Sequence, residues 1–391
     1  SISQFKSHLL AENRRKLSTE QFPMALRGES GWQAMHCKAY GKERWLKLYK
    51  ALKTQVTHVT LVNPFLQPDA QAQLRLEQQL DPHPDIPLVY VPAASTPKAS
   101  PQGEGDGLDS AGASQLLDLE PVSLKCYYMD GASTLAALAL GSEPGEKVLD
   151  LCAAPGGKSL VLASQLFSRP QPLTPGESSE NSPQKQSLLV CNEASRPRAE
   201  RLRRVLSTFL PQELVAAGGR VHVTIEDATA GVASRAVPIY RLGPYNRILL
   251  DAPCTSDRHL AHQGQSALAK WAAGGVKASA ERQLELLKNA ATLLKAGGLI
   301  LYCTCALAEQ ENDGVVAKFL KKPGIPGATF TVEFPAFWGE LVAKTSDATP
   351  AEPKGAAEPS AGNAEDAQLK AGKDDEQVGK GLLDKVKGVE L

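Results

Sequence analysis

Two cysteines stand where this sequence could do covalent chemistry: Cys254 in Asp251-Ala252-Pro253-Cys254, and Cys305 in Tyr302-Cys303-Thr304-Cys305. Each follows an apolar run that reads as a buried strand, Ile248-Leu249-Leu250 and Leu299-Ile300-Leu301. In an open α/β sheet, ligands and chemistry lie just past the carboxyl ends of strands, so both thiols are expected to face one crevice. A thiolate is the strongest nucleophile a side chain offers near neutral pH. Both are therefore nucleophile candidates.

A third stretch, Asp150-Leu151-Cys152-Ala153-Ala154-Pro155-Gly156-Gly157-Lys158, joins a strand to a helix. Its paired glycines let the backbone approach a ligand closely, and the helix N-terminus behind them favours negative charge. It is not GxGxxG, and Gly156-Gly157-Lys158-Ser159 lacks the first glycine of a P-loop. What remains is a class-I methyltransferase loop, whose glycines accommodate the methionine part of S-adenosylmethionine. Such a sheet places an acid after its next strand, because a carboxylate pairs well with ribose hydroxyls. Glu193, in Cys191-Asn192-Glu193, is placed for that role. Asp227, in Ile225-Glu226-Asp227, is placed to accept a hydrogen bond from an adenine amino group.

The elements that must position these residues alternate along the chain. Strands are expected at Lys147–Leu151, Ser187–Cys191, Arg220–Ile225, Arg247–Leu250 and Leu299–Cys303, with helices at Ser133–Leu140, Ser159–Leu166, Arg198–Phe209 and Ala278–Leu294. That alternation predicts an α/β fold, Rossmann-like, with a mostly parallel sheet. Residues 1–120 read as a small N-terminal α/β appendage, with helical spacing over Gly41–Thr54, a strand at Val56–Val62 and a flexible insertion at 93–120. The main domain is expected over 121–340, with a Pro/Ser-rich insertion at 168–186. Residues 341–391 are poor in large apolar groups and are expected to be mostly disordered, with a docking turn conceivable at Gly381–Val389.

The 391 residues carry no net charge, so no global basic signature marks a nucleic-acid binder. Residues 1–60 nevertheless hold eleven Lys/Arg against four Asp/Glu, including Arg14-Arg15-Lys16, a face that suits phosphates or, equally, solvent. The seven cysteines show no framework spacing and no CxxC pair, which predicts reduced intracellular thiols and argues against a structural metal. No apolar run is long enough to cross a bilayer and no secretory signal is visible, so no membrane association is expected. A start at Ser1 rather than Met is compatible with an organellar presequence already removed.

Taken together, the Asp150–Lys158 loop, Asp251-Ala252-Pro253-Cys254 and Thr304-Cys305 resemble the Sun-domain (Nol1/Nop2/Sun) RNA cytosine-C5 methyltransferases over about residues 125–322. Tyr128-Met129-Asp130 and Asp257-Arg258-His259 tighten the likeness to the mitochondrial ribosomal-RNA branch, which lacks a PUA module. The resemblance implies S-adenosylmethionine as cofactor and ribosomal RNA as substrate. It makes Cys305 the nucleophile, Cys254 the residue that assists product release, Asp251 the acid at the cytosine edge and Lys158 a positive charge that lowers a thiol pKa and orients the base. Cofactor contacts are expected from Cys152, Ala153, Ala154, Pro155, Gly156, Gly157, Lys158, Glu193, Arg198, Asp227 and Asp251.

The resemblance also implies a mitochondrial matrix location, work on a ribosomal subunit assembly intermediate, and a helical-repeat partner of the mitochondrial transcription-termination-factor type. Departures are Glu193 where the family usually has Asp, Cys303 before Thr304 and Ala306 after Cys305 in place of Ser. Cys152, Cys191 and Cys303 read first as small buried hydrophobes. The competing expectation is an assembly factor with a mainly structural role in binding RNA and protein. A small-molecule or protein methyltransferase accounts for the loop but not for the cysteine pair.

Overall fold

The computed structural model describes residues 26–54, 56, 58–93, 124–168, 186–230, 237–333, 335 and 387–390. The Arg14-Arg15-Lys16 run, nearly all of both expected insertions and most of the tail lie outside the described residues. The chain divides into two compact units: Ser1–Gln55 with Cys254–Gln283 and Cys305–Val315, and Val56–Pro253 with Leu284–Thr304 and Val316–Leu391. This division departs from the boundary near 120 that composition suggests, because backbone pairing joins the chain on either side of it.

That pairing builds the first sheet of the larger unit. Strands β1 (His58–Val62), β2 (Leu80–Pro82), β3 (Val89–Pro92) and β4 (Cys126–Asp130) form an antiparallel sheet in the order β2-β3-β1-β4. Val59 lies opposite Met129 and Leu61 opposite Tyr127. All four side chains are buried in the core that also holds the main sheet.

The main sheet contains β5 (Lys147–Asp150), β6 (Leu188–Asn192), β7 (Val221–Thr224), β8 (Tyr245–Asp251) and β9 (Leu294–Cys303), parallel in the order β9-β8-β5-β6-β7. Val148, Leu149, Leu189, Val190, Ile248, Leu249, Leu250 and Ile300 are wholly buried. Strands covered on both faces read as continuous apolar runs, which is why they were visible in the sequence. Two antiparallel strands, β10 (Thr331–Glu333) and β11 (Lys387–Glu390), extend the β9 edge in the order β10-β11-β9. The end of the tail is therefore a sheet strand rather than a docking turn. The expected class-I methyltransferase fold is present, and its topological switch point lies between β5 and β8.

The smaller unit is helical. Helices Gly28–Tyr40, Lys42–Lys53, Asp257–Gln263 and Gln265–Lys270 surround a core of Trp32, Met35, Trp45, Leu52, Leu268 and Trp271. Trp32 and Trp45 meet edge to face at 5.1 Å, and His36 stacks on Trp45 at 4.4 Å. Among the described residues no helix is long and apolar enough to cross a membrane.

Candidate active site

The larger unit gathers the expected cofactor residues at the carboxyl edge of β5, β6, β7 and β8. Gly156 has φ of 122°, a conformation open to glycine, and a Cβ there would come within 3.1 Å of Val205. A Cβ on Gly157 would lie 3.1 Å from the Tyr127 ring. The turn after β5 thus needs both glycines for its shape and its packing. Asn192, at the end of β6, fixes three successive loops. Its amide donates to the Leu151 and Glu226 carbonyls at 3.1 and 3.0 Å, and its oxygen accepts from Thr224 Oγ1 and the Glu226 N–H at 2.9 and 3.1 Å.

Glu193 is buried, accepts the Ser195 N–H at 2.9 Å and pairs with Arg198 at 3.4 Å. Arg198 also donates to the Ala154 carbonyl at 2.9 Å, which joins the cradle loop to the acid after β6. Asp227 is exposed three residues beyond β7, where its Oδ1 accepts from the Thr229 N–H at 2.9 Å and hydroxyl at 2.7 Å. Lys158 Nζ lies 2.8 Å from Asp251 Oδ2 and donates to Ser133 Oγ at 3.1 Å. Burial disfavours the Lys158 ammonium, but Asp251 and the acids around it outweigh that and hold its pKa above the usual lysine range. The structure therefore gives Lys158 a carboxylate to hold in place. Cys303, read as a plain hydrophobe, is buried but also turns its Sγ to Asp251 Oδ1 at 3.6 Å. Cys191 is wholly buried, and Cys152 is only half-buried.

Asp150 was read only as the start of the loop. Its carboxyl is buried, accepts from Ser159 Oγ at 2.7 Å, and has Oδ1 without a protein hydrogen-bond partner. Burial pushes its pKa from 3.8 up to about 7. Between those values the folded chain binds the proton that the unfolded chain has released, so stability falls as pH rises through this window. Asp150→Asn removes that ionisation. It is expected to leave stability near pH 4 little changed and to raise it above pH 7 by up to about 4 kcal/mol, from a shift of about three units at 1.36 kcal/mol each. Thermal unfolding followed from pH 4 to 8 measures this; parallel curves for both proteins would contradict it.

The smaller unit brings the two expected reactive thiols together. Cys254 and Cys305 place their sulfurs 3.1 Å apart, with Cys305 exposed and Cys254 half-buried. The hydrogen bond to Cys305, with burial behind it, pushes the Cys254 thiol pKa up. None of the seven cysteines is joined in a disulfide.

Two buried carboxylates fasten the loops that carry this pair. Asp257, three residues after Cys254, accepts the Leu307 N–H at 2.6 Å, Trp32 Nε1 at 2.7 Å and His36 Nε2 at 2.9 Å. A carboxylate can only accept, so Nε2 is the protonated nitrogen of His36. Burial alone would raise the Asp257 pKa, but the His36, Leu307 and Trp32 hydrogen bonds hold it below the usual carboxylate range. In return Glu311, beyond Cys305, accepts the Thr255 N–H at 3.0 Å, the Thr255 hydroxyl and Gln283 Nε2 at 2.9 Å. Each loop thus lends the other a carboxylate. Sequence reading missed Asp150, Asn192, Ser256 and Glu311. Asp257 was noticed only within a motif, and the acid at the end of β5 was the available signal for Asp150.

Residues 137–326 match the family described as 16S rRNA methyltransferase RsmB/F. The mouse mitochondrial tRNA (cytosine(34)-C(5))-methyltransferase is 35% identical over 199 residues, which cover 51% of this chain and 49% of that protein. The bovine 5-cytosine rRNA methyltransferase NSUN4 is 36% identical over 196 residues, covering 49% and 43%. The matched segment thus spans less than half the length of either relative. A methyltransferase homolog from Pyrococcus horikoshii, 19% identical, superposes with a TM-score of 0.51 over 77% of this chain and 79% of its own, which shows the shared fold. Residues 137–326, just under half of the chain, thus carry the likeness to the RsmB/F methyltransferases.

Proposed function

We propose that this chain methylates C5 of cytosine in mitochondrial ribosomal RNA with S-adenosylmethionine, through a covalent cysteine adduct. The observation that carries the reading is the thiol pair: an exposed Cys305 sulfur with the Cys254 sulfur 3.1 Å away. Ordinary methyl transfer needs no such pair.

Cytosine C5 is too weak a nucleophile to accept a methyl group unaided. The Cys305 thiolate adds to C6, forming a C–S bond and moving the C5–C6 electron pair toward C5. Asp251, held by Lys158, hydrogen-bonds the cytosine edge and favours a proton at N3 as sulfur adds. Bound S-adenosylmethionine supplies the electrophilic methyl group. The C5 proton is then lost to solvent with the help of Cys254, its electron pair restores the C5–C6 double bond, the Cys305 sulfur departs as thiolate, and N3 gives back its proton. Two thiols are needed because one stays bonded to C6 while the other serves the elimination.

The cradle fits the cofactor on its own chemistry. A glycine turn admits close backbone approach, Glu193 offers a carboxylate to a ribose diol, and Asp227 an acceptor to an adenine amine. Cys152, Ala153, Ala154 and Pro155 belong to the same turn, with Arg198 bracing it. Asp227→Ala is expected to weaken S-adenosylmethionine binding by about 1–2 kcal/mol, the scale of a hydrogen bond to a charged group. Isothermal calorimetry showing unchanged affinity would remove Asp227 from the site.

Helix Lys42–Lys53 exposes Lys42, Arg44, Lys47, Lys50 and Lys53, a surface for RNA phosphates. A matrix location, action on a ribosomal subunit assembly intermediate and a helical-repeat partner of the transcription-termination-factor type rest on the family resemblance and on the mitochondrial relatives. Bisulfite sequencing of mitochondrial RNA with and without the protein tests the reading. A protein-dependent 5-methylcytosine in ribosomal RNA is expected. A signal confined to transfer RNA would replace the substrate, and no signal in any RNA would leave a structural assembly factor.

A further inference from the structure

We propose that Ser256 is a third catalytic residue, whose hydroxyl donates a hydrogen bond to the Cys305 sulfur while that sulfur is a thiolate. The assignment deepens the proposed methyl transfer and rests on Cys305 being its nucleophile.

Three observations carry it. First, Ser256 Oγ lies 3.2 Å from Cys305 Sγ and 3.7 Å from Cys254 Sγ, so one hydroxyl faces both sulfurs. Second, Ser256 precedes helix Asp257–Gln263 as its N-cap, yet its side chain makes no capping hydrogen bond. Capping the first turn is what a serine there ordinarily does. Here the hydroxyl is turned toward the sulfurs instead. Third, its backbone has φ 50° and ψ 64°, in the left-handed region that favours glycine. Gln79 and Leu88 share a positive φ among the described non-glycine residues, but both are exposed on the surface.

The strain persists because both neighbours are fixed. Thr255 is held by Glu311, and Asp257 by Trp32, His36 and Leu307. Strained residues cluster where the surrounding structure over-determines them for a purpose. Glycine would satisfy the backbone without strain, so the feature that serine adds is its oxygen.

An O–H donor on a thiolate favours the charged form and lowers the thiol pKa. The bond serves both halves of the reaction. It raises the thiolate fraction before attack on C6, and it stabilises the sulfur again as the C–S bond breaks. The hydroxyl keeps its own proton throughout. Cys254 is a titratable group facing Cys305 at 3.1 Å, and Asp257 and Glu311 stand behind the two loops with their hydrogen bonds made.

The test is the pH dependence of Cys305 alkylation by iodoacetamide, read peptide by peptide by mass spectrometry on the full chain, without RNA or cofactor. Ser256→Ala and Ser256→Gly are expected to raise the alkylation midpoint by about one unit, a tenfold loss of thiolate below it. The glycine variant suits the backbone natively, so it remains informative if the alanine variant fails to fold. Unchanged midpoints in the glycine and alanine variants would overturn the role of Ser256, whatever the RNA result. A raised midpoint without any RNA methylation would instead overturn the methyltransferase reading and leave Ser256 as a group that activates a thiol of other use.

Discussion

Cys305→Ala is expected to abolish methylation, by on the order of 10³-fold or more, and to leave no covalent protein–RNA species on a denaturing gel. That loss corresponds to about 4 kcal/mol of barrier. It follows from removing the atom that forms the C–S bond. Cys254→Ala should fail differently. The exposed Cys305 sulfur still attacks, but the second thiol no longer serves elimination, so the adduct accumulates and survives denaturation. Replacing both cysteines should remove the adduct again. Trapping by Cys305→Ala and not by Cys254→Ala would exchange the two roles.

The second large effect concerns stability. Asp257→Ala leaves Trp32 Nε1, His36 Nε2 and the Leu307 N–H buried without their acceptor. Breaking such a buried charged network costs about 3–5 kcal/mol, against roughly 1 kcal/mol for an average substitution. The hydrogen bonds hold the Asp257 pKa low, so its contribution is complete above the ordinary carboxylate pKa and is lost as pH falls through the lowered folded value. Urea midpoints should therefore differ widely at pH 7 and converge in strong acid. A loss below about 1 kcal/mol at pH 7 would show that the carboxylate does not hold the unit together.

Much of the main sheet was legible because a parallel sheet buries both faces of its strands, which leaves runs such as Leu188–Val190 and Ile248–Leu250 wholly or largely apolar. The glycine turn and both thiols were legible for a different reason, since they directly follow those runs. Boundaries slipped where backbone pairing overrode composition. Helix Ala273–Leu293 begins earlier than expected, through Gly274-Gly275, and β9 begins at Leu294, five residues before its apolar run. Tyr128-Met129-Asp130 was recognised as a motif, but not as part of a strand paired with β1, because its partner lies some 70 residues earlier. Asp257 and Glu311 show the same limit at the site. Single acids in polar-looking loops carry no local sign that tryptophan, histidine and threonine donors will converge on them.

The hydrogen bond from Trp32 to Asp257 spans 225 positions of chain, and it lies within a unit assembled from three separate segments. Such a unit has high contact order, and its loop-closure entropy must be met before any contact rewards it. Ribosomes add about 5–20 residues per second. Trp32, His36 and Trp45 therefore wait roughly 10–45 s during synthesis for the carboxylate that completes their cluster. Throughout that interval two indole rings and a histidine form an unfinished apolar surface on the nascent chain, the kind a holdase chaperone grips. The reactive thiol pair is thus created last, once the strands bearing the cradle have already been made.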